Sequence, residues 1–224
     1  MTDAHCHVTG GDPFVREFLI GRDFIGVHPW DAGDQGSGIG DQVMVALKRR
    51  LQEDSRLGVG EIGLDRLKER EISPRMRELF ETQLKLALEF RRPVVLHGAK
   101  CWGQVVSVIR SLIPDPRSLI PSFLFHGFSR SDGLIPEIVK LNGYISVGPA
   151  VLNDHAVNYR ELVKKIPLDR LLIETDRTPE NAADCPSVRD VAAEVAKLRG
   201  LSLPELETLT DRNAGKFFPL IPDP

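Results

Sequence analysis

The chain has 224 residues, enough to bury a sizeable core in one domain, and near the lower limit of length for a β/α barrel. Its hydrophobic fraction of 42% and charged fraction of 27% are those of a globular protein and exclude a disordered or fibrous chain. A formal net charge of −3 excludes a global attraction to nucleic acid or anionic membranes, so a phosphate-bearing substrate must be met by a local basic patch or by metal ions.

Short apolar runs alternate with longer amphipathic segments, the rhythm of βα units. The first run, Thr2–His7, is read as a strand. The fifteen residues between His7 and Asp23 cannot hold a helix, a strand and a second helix at usual lengths. Glu17–Ile20 could be a short second strand, and the fold class is α/β, a TIM-type β/α barrel shortened or irregular between the first strand and the Gly26-Val27-His28 strand. That next strand is Asp23–His28. Asp41 is placed as the cap of a helix to about Glu53, followed by a strand at Leu57–Ile62. Ser73 and Pro74 form a cap and first-turn pair, after which Met76, Leu79, Phe80, Leu84, Ala87 and Phe90 recur at helical spacing.

Further strands follow at Pro93–His97, Ser122–His126, Tyr144–Val147 and Arg170–Thr175, with helices expected at Trp102–Leu112, Gly133–Leu141 and Tyr159–Lys165. Ser187 opens a helix over Val188–Arg199 that stops at Gly200, and Ser202 with Pro204 opens a last one to about Lys216. The tail Phe217–Pro224, with three prolines, is expected to be a surface strap. The three cysteines Cys6, Cys101 and Cys185 form a sparse, odd set that argues for a reducing compartment. No basic segment followed by an apolar run precedes Asp3, and no run approaches the ~18–20 apolar residues of a membrane span. The expectation is one soluble cytoplasmic domain over residues 1–224, with no membrane association and no obligate protein partner.

Strand after strand ends in a residue that binds metals. His5 and His7 close the first run, Glu61 follows Leu57-Gly58-Val59-Gly60, and His97 follows Pro93-Val94-Val95-Leu96. His126 follows Phe123-Leu124-Phe125, and Asp176 follows Leu171–Thr175. In a β/α barrel all C-terminal strand ends meet on one face, where active sites are built. Side chains two apart on a strand share a direction, so Asp3, His5 and His7 can share the barrel interior while Cys6 faces outward. A lone strand-end histidine is more often a hydrogen-bonded core or rim residue. Independent core histidines, however, have no reason to fall at the same end of successive strands. Four imidazoles and two carboxylates form a mixed N/O set that suits zinc, manganese, iron or related divalent ions better than calcium, with magnesium as a further candidate. Six ligands exceed what one open metal site needs and fit two divalent ions bridged by a carboxylate. Lys100, Arg130 and Arg177 follow three ligand-bearing strands and could form a basic rim for phosphate. Glu174 shares parity with Asp176, as a supporting carboxylate would.

The segments Asp3-Ala4-His5-Cys6-His7, Gly26-Val27-His28-Pro29-Trp30, Gly60–Asp65, Pro93–His97, Phe125-His126-Gly127-Phe128-Ser129 and Leu172–Asp176 together resemble, in order, the TatD family of metal-dependent deoxyribonucleases within the amidohydrolase-like barrels. Asn213 with Phe217-Phe218 resembles that family's closing helix. The resemblance implies that His5, His7, Glu61 and Asp176 hold one metal. It also implies that Glu61 bridges to a second held by His97 and His126, and that Asp176 orients the attacking water and takes its proton. Glu61 and Asp176 are thus the catalytic candidates, with His28, Lys100, Arg130 and Arg177 as substrate contacts. The implied activity is phosphodiester hydrolysis, with DNA ends as the substrate. The alternatives are a metal-dependent carboxylic ester or amide hydrolase and a non-catalytic barrel scaffold. Gly98-Ala99-Lys100 and Arg177-Thr178-Pro179 depart from the family's usual residues, which bears on substrate rather than on metal chemistry.

Overall fold

Among the residues that the computed structural model describes (1–32, 37–68, 70–113 and 121–219, with side chains 37–41 left out), eight strands follow one another. They are β1 Thr2–Cys6, β2 Arg16–Leu19, β3 Phe24–Ile25, β4 Gly58–Asp65, β5 Val94–Ala99, β6 Phe123–Phe125, β7 Gly143–Val147 and β8 Leu171–Ile173. All pair in parallel, in one ladder of β1 with β2 and a second running β3 to β8 in chain order. An isolated parallel bridge between Ile20 and Phe24 joins β2 to β3. On the other side, the Asp176 N–H donates to the His5 carbonyl (3.1 Å) and the His7 N–H to the Arg177 carbonyl (2.8 Å). The succession of neighbours therefore returns to its start, which is the topology of a β/α barrel.

The irregularity expected after β1 is present: residues 7–15 and 20–23 carry the chain into β2 and β3 without a helix. From β3 onward helices intervene: α1 Ser37–Glu53, α2 Pro74–Phe90, α3 Trp102–Leu112, α4 Ile135–Lys140, α5 Val157–Lys165, α6 Val188–Arg199 and α7 Leu203–Phe217. Ser73 caps α2 through the Met76 N–H, and Ser187 and Ser202 open α6 and α7 with reciprocal capping boxes. Helix α1 begins at Ser37, so Asp41 lies inside it and not at its cap. No helix among the described residues is long and apolar enough to cross a membrane.

The barrel interior is layered. Ala4, Phe18, Phe24, Val95, Leu124, Tyr144 and Leu172, contributed by seven of the strands, pack with Phe217 and Phe218 at the end of α7. The Phe217 ring stacks on Phe24 at 5.8 Å, and Phe218 meets Phe18 edge-on at 5.1 Å. Phe217 and Phe218, expected in a surface strap, instead belong to the core because the two rings plug this end of the barrel. Residues 220–224 of that tail lie outside the described residues. Buried Asn213 ties α7 in place by donating to the Leu168 and Leu171 carbonyls (2.8 and 2.9 Å). Two residues along the strands from Val95, Leu124, Tyr144 and Leu172 come His97, His126, Ser146 and Glu174. Strand parity thus stacks the polar layer directly on the apolar plug.

Several strand boundaries differ from expectation for identifiable reasons. Glu61 and His97 lie within β4 and β5 and not at their ends, because that ladder continues to the pair Asp65/Ala99. Strand β3 is short because a side chain replaces the ladder beyond it. Gln83, fully buried on α2, accepts from the Val27 N–H (2.7 Å) and donates to the Val27 carbonyl (3.0 Å).

Candidate metal centre

The buried carboxylate of Glu61 is the hub of the polar layer. Its Oε2 lies 3.4 Å from Nε2 of both His5 and His7. Its Oε1 lies 2.6 Å from His97 Nδ1, 2.7 Å from His126 Nε2 and 3.5 Å from His28 Nε2. The Asp176 Oδ1 faces the His5 and His7 rings from the other side, at 3.4 and 3.8 Å. All six residues singled out as ligands thus converge. Three overlapping sets have ligand atoms close enough to share an ion: His5/Glu61/His126, His5/His7/Asp176 and His28/Glu61/His97.

The donor chemistry fits metal. His5 is fully buried, and neither ring nitrogen has a hydrogen-bond partner, nor does Nδ1 of buried His126. Orphaned imidazole nitrogens beside carboxylates are what a metal ion would satisfy. The electrostatics agree. Burial and repulsion from His126 work against a charged His5, but the Asp176 and Glu61 carboxylates outweigh both and hold it up at about 9. Burial likewise opposes a charged His126, yet Glu61 and Glu174 hold it well above the usual histidine range. Burial raises Glu61, but His126, His28 and His5 overcome it and hold that carboxyl well below its ordinary value. Without metal the cluster gathers protons, and a divalent ion would take their place.

Neighbouring groups aim these ligands. The Asp65 Oδ2 lies 2.7 Å from His97 Nε2, so the ring is gripped at both nitrogens by the β4 carboxylates on either side of Gly63. Glu174 accepts from the Gly127 N–H (2.8 Å) and the Ser146 hydroxyl (2.5 Å), fixing the turn that carries His126. Asp3 joins β1 to the strand-end segment after β8 by accepting from the Thr175 N–H (3.0 Å) and hydroxyl (2.6 Å), and desolvation pushes its carboxyl up to about 7. Asp176 adopts a left-handed backbone (φ 50°), as do Lys100 (φ 59°) and Arg130 (φ 57°), so three strained residues cluster on this face.

Two cavities open here. One of about 500 Å³ is lined by His7, His28, Trp30, Glu61, His97 and Asp176 among others. The other, of about 850 Å³, is lined by Arg130, His155, Tyr159 and Asn181. Asp176 lines both.

The expected basic rim is only partly present. Arg130 lines the larger cavity. Lys100 is exposed and lines neither cavity. Arg177 also lines neither. Its guanidinium donates to the carbonyls of Ala182 (2.7 Å) and Cys185 (3.1 Å), which makes it a brace for the loop after β8 in place of a substrate contact. His28, expected as a substrate contact, lines the smaller cavity and also reaches the inner cluster, 3.4 Å from His97 Nδ1. The signal available was the position of Gly26-Val27-His28 among the other histidine-bearing strands.

Comparison with known proteins gives a consistent picture. The family model described as TatD related DNase matches residues 21–219. A relative from Bacillus subtilis (strain 168), named uncharacterized metal-dependent hydrolase YabD, is 30% identical over 218 residues, covering 94% of this chain and 82% of that protein. The 3'-5' ssDNA/RNA exonuclease TatD of Klebsiella pneumoniae (strain 342) is 29% identical over 205 residues, covering 86% of this chain and 75% of its own. Among solved structures, YJJV, a TatD homologue from Escherichia coli K12, superposes with a TM-score of 0.68 at 26% identity, covering 93% of this chain and 78% of the other. An uncharacterized amidohydrolase from Saccharomyces cerevisiae shares the fold, with a TM-score of 0.69 at 18% identity over 91% of this chain and 81% of its own.

Proposed function

The chain belongs to the TatD-related DNase family of metal-dependent hydrolases, and from that premise we propose that it is a phosphodiesterase acting on DNA ends. The observation that carries the reading is the division of Glu61: one carboxylate oxygen faces His5 and His7, the other His97 and His126. A carboxylate shared in this way suits two divalent ions (zinc, manganese, magnesium or iron). His5, His7, Glu61 and Asp176 would hold the first, and Glu61, His97 and His126 the second. When bound, such ions supply an acidified water and positive charge for the phosphoryl oxygens.

The remaining steps belong to the protein. Burial raises the Asp176 carboxyl, but His5 and His126 outweigh it and keep it below its ordinary value, so it is ionised at neutral pH and ready to accept a proton. The two cavities that Asp176 lines give room for a nucleic-acid strand beside the cluster. Asp65 and Glu174 hold the His97 ring and the turn that carries His126 so that neither need reorganise during the reaction. The activity named for the Klebsiella pneumoniae relative supports a nucleic-acid substrate.

The deciding experiment is to strip the protein of metal, restore zinc, manganese or magnesium, and offer end-labelled single-stranded DNA beside carboxylic esters and amides. Metal-dependent release of nucleotides from the ends is expected. Turnover of esters or amides alone would overturn the reading. The two arginines provide a finer check. Arg130→Ala should weaken oligonucleotide binding and flatten its salt dependence by about 0.7 in log–log slope, the loss of one phosphate contact to a single strand. Arg177→Ala should leave that slope intact, because its guanidinium is already committed to the loop carbonyls. Equal slopes in wild type and Arg130→Ala would remove Arg130 from the binding path.

A further inference from the structure

A lone exposed aromatic side chain needs no explanation. Trp30 is different because it is exposed and pinned together. It is 48% exposed at the rim of the 500 Å³ cavity. It follows buried Pro29 in a single 3-10 turn, and its backbone N–H donates to His28 Nδ1 (3.2 Å). The indole also lies within reach of Asp65, the same carboxylate that holds His97. The His28 ring meets it edge-to-face at 4.7 Å, and the His97 ring lies 6.2 Å away. Over the indole, 3.9 Å from its centre, sits the ammonium of Lys68. Residues of the metal-centre layer therefore also hold this ring, and a long, movable cation lies over its face.

We propose that Trp30 and Lys68 form a nucleobase subsite, in which a base stacks on the indole while the ammonium moves from the ring to the nucleotide's phosphate. The inference rests on the phosphodiesterase reading and deepens it. Base–aromatic stacking is stronger than an exposed cation–π contact, so an arriving base displaces the ammonium. Stacking is also indifferent to base identity, which suits an enzyme that works along a strand whatever its sequence. The closeness of the indole to His28 and His97 means that a phosphate held at the cluster brings its own or the adjoining base to the ring.

The test uses the metal-loaded protein and two hydrolysis-resistant phosphorothioate oligomers of equal length, one of thymidine and one abasic. Wild type should bind the thymidine oligomer about tenfold or more tightly than the abasic one, the worth of one stacked base. The thymidine oligomer should also quench tryptophan emission. The chain has two tryptophans, and the other, Trp102, is 4% exposed, so the quenching reports Trp30. Trp30→Ala should bind the two oligomers equally, Trp30→Phe should keep most of the preference, and Lys68→Ala should flatten the salt dependence for the thymidine oligomer. A Trp30→Ala variant that still prefers the base-bearing oligomer by the wild-type factor overturns the subsite. Wild type that cleaves DNA yet shows no base preference also overturns the subsite and leaves the phosphodiesterase reading standing. Wild type that neither binds nor cleaves either natural or modified oligomers with any of the metals overturns both.

Discussion

Asp176→Asn should melt near the wild-type temperature, keep much of its metal and lose about 10²–10⁴-fold in turnover, the usual cost of removing a general base. Asp176 lines both cavities and its carboxylate faces His5 and His7, so it stands where it can take an attacking water's proton. Asn retains one carbonyl oxygen toward the histidines but cannot accept that proton at neutral pH. The backbone argues for an intact fold, because Asp176 sits at φ 50° and Asn is one of the few residues at ease in that left-handed region. Its N–H can still donate to the His5 carbonyl and hold the β8–β1 junction.

Glu61→Gln should behave differently. The amide offers one acceptor oxygen where the carboxylate offers two, and here each oxygen serves a separate group of histidines. Metal content itself should fall, with activity falling alongside. Metal stoichiometry, melting temperature and rate on both variants separate the roles. Wild-type turnover in metal-loaded Asp176→Asn would exclude Asp176 as the base.

The convergence of His5, His7, Glu61, His97, His126 and Asp176 was legible because it depends on position alone: strand order and side-chain parity bring interior residues to one face of a barrel. Parity also led to Glu174, which supports the turn after β6 from two residues before Asp176. The missing helices after β1 followed from chain length. What sequence could not show depends on partners distant in the chain. Strand β4 runs on to Asp65 because β5 pairs with it there, and β3 stops early because Gln83 on α2 takes over the bonds of Val27. Arg177 looked free for substrate because its acceptors are loop carbonyls, which have no sequence signature. Phe217 and Phe218 looked like a tail because only the closed barrel creates the opening they fill.

Gly63→Ala should be the most damaging glycine-to-alanine change among the described residues, costing more than about 4 kcal/mol or abolishing folding. Gly63 lies between Glu61 and Asp65 on β4 and pairs with His97 on β5. Its φ of 151° lies in a region that L side chains rarely adopt. A Cβ there would stand 2.0 Å from the His97 carbonyl oxygen and 2.9 Å from its carbonyl carbon, both backbone atoms that cannot step aside. The absent side chain is what lets β4 approach β5 closely enough for two carboxylates to grip one imidazole, at 2.6 and 2.7 Å. Backbone strain and steric overlap act together, and moving β5 away to relieve them would pull His97 from both partners. Gly103→Ala is the matching control. Gly103 lies in the first turn of α3 with open space around its Cβ position, so the same added methyl should be neutral or stabilising there by up to about 1 kcal/mol. Thermal melting and metal content on the two variants decide the matter: a Gly63→Ala protein that melts within a few degrees of wild type with its metal intact would show that the close approach of the two strands is not what builds the centre.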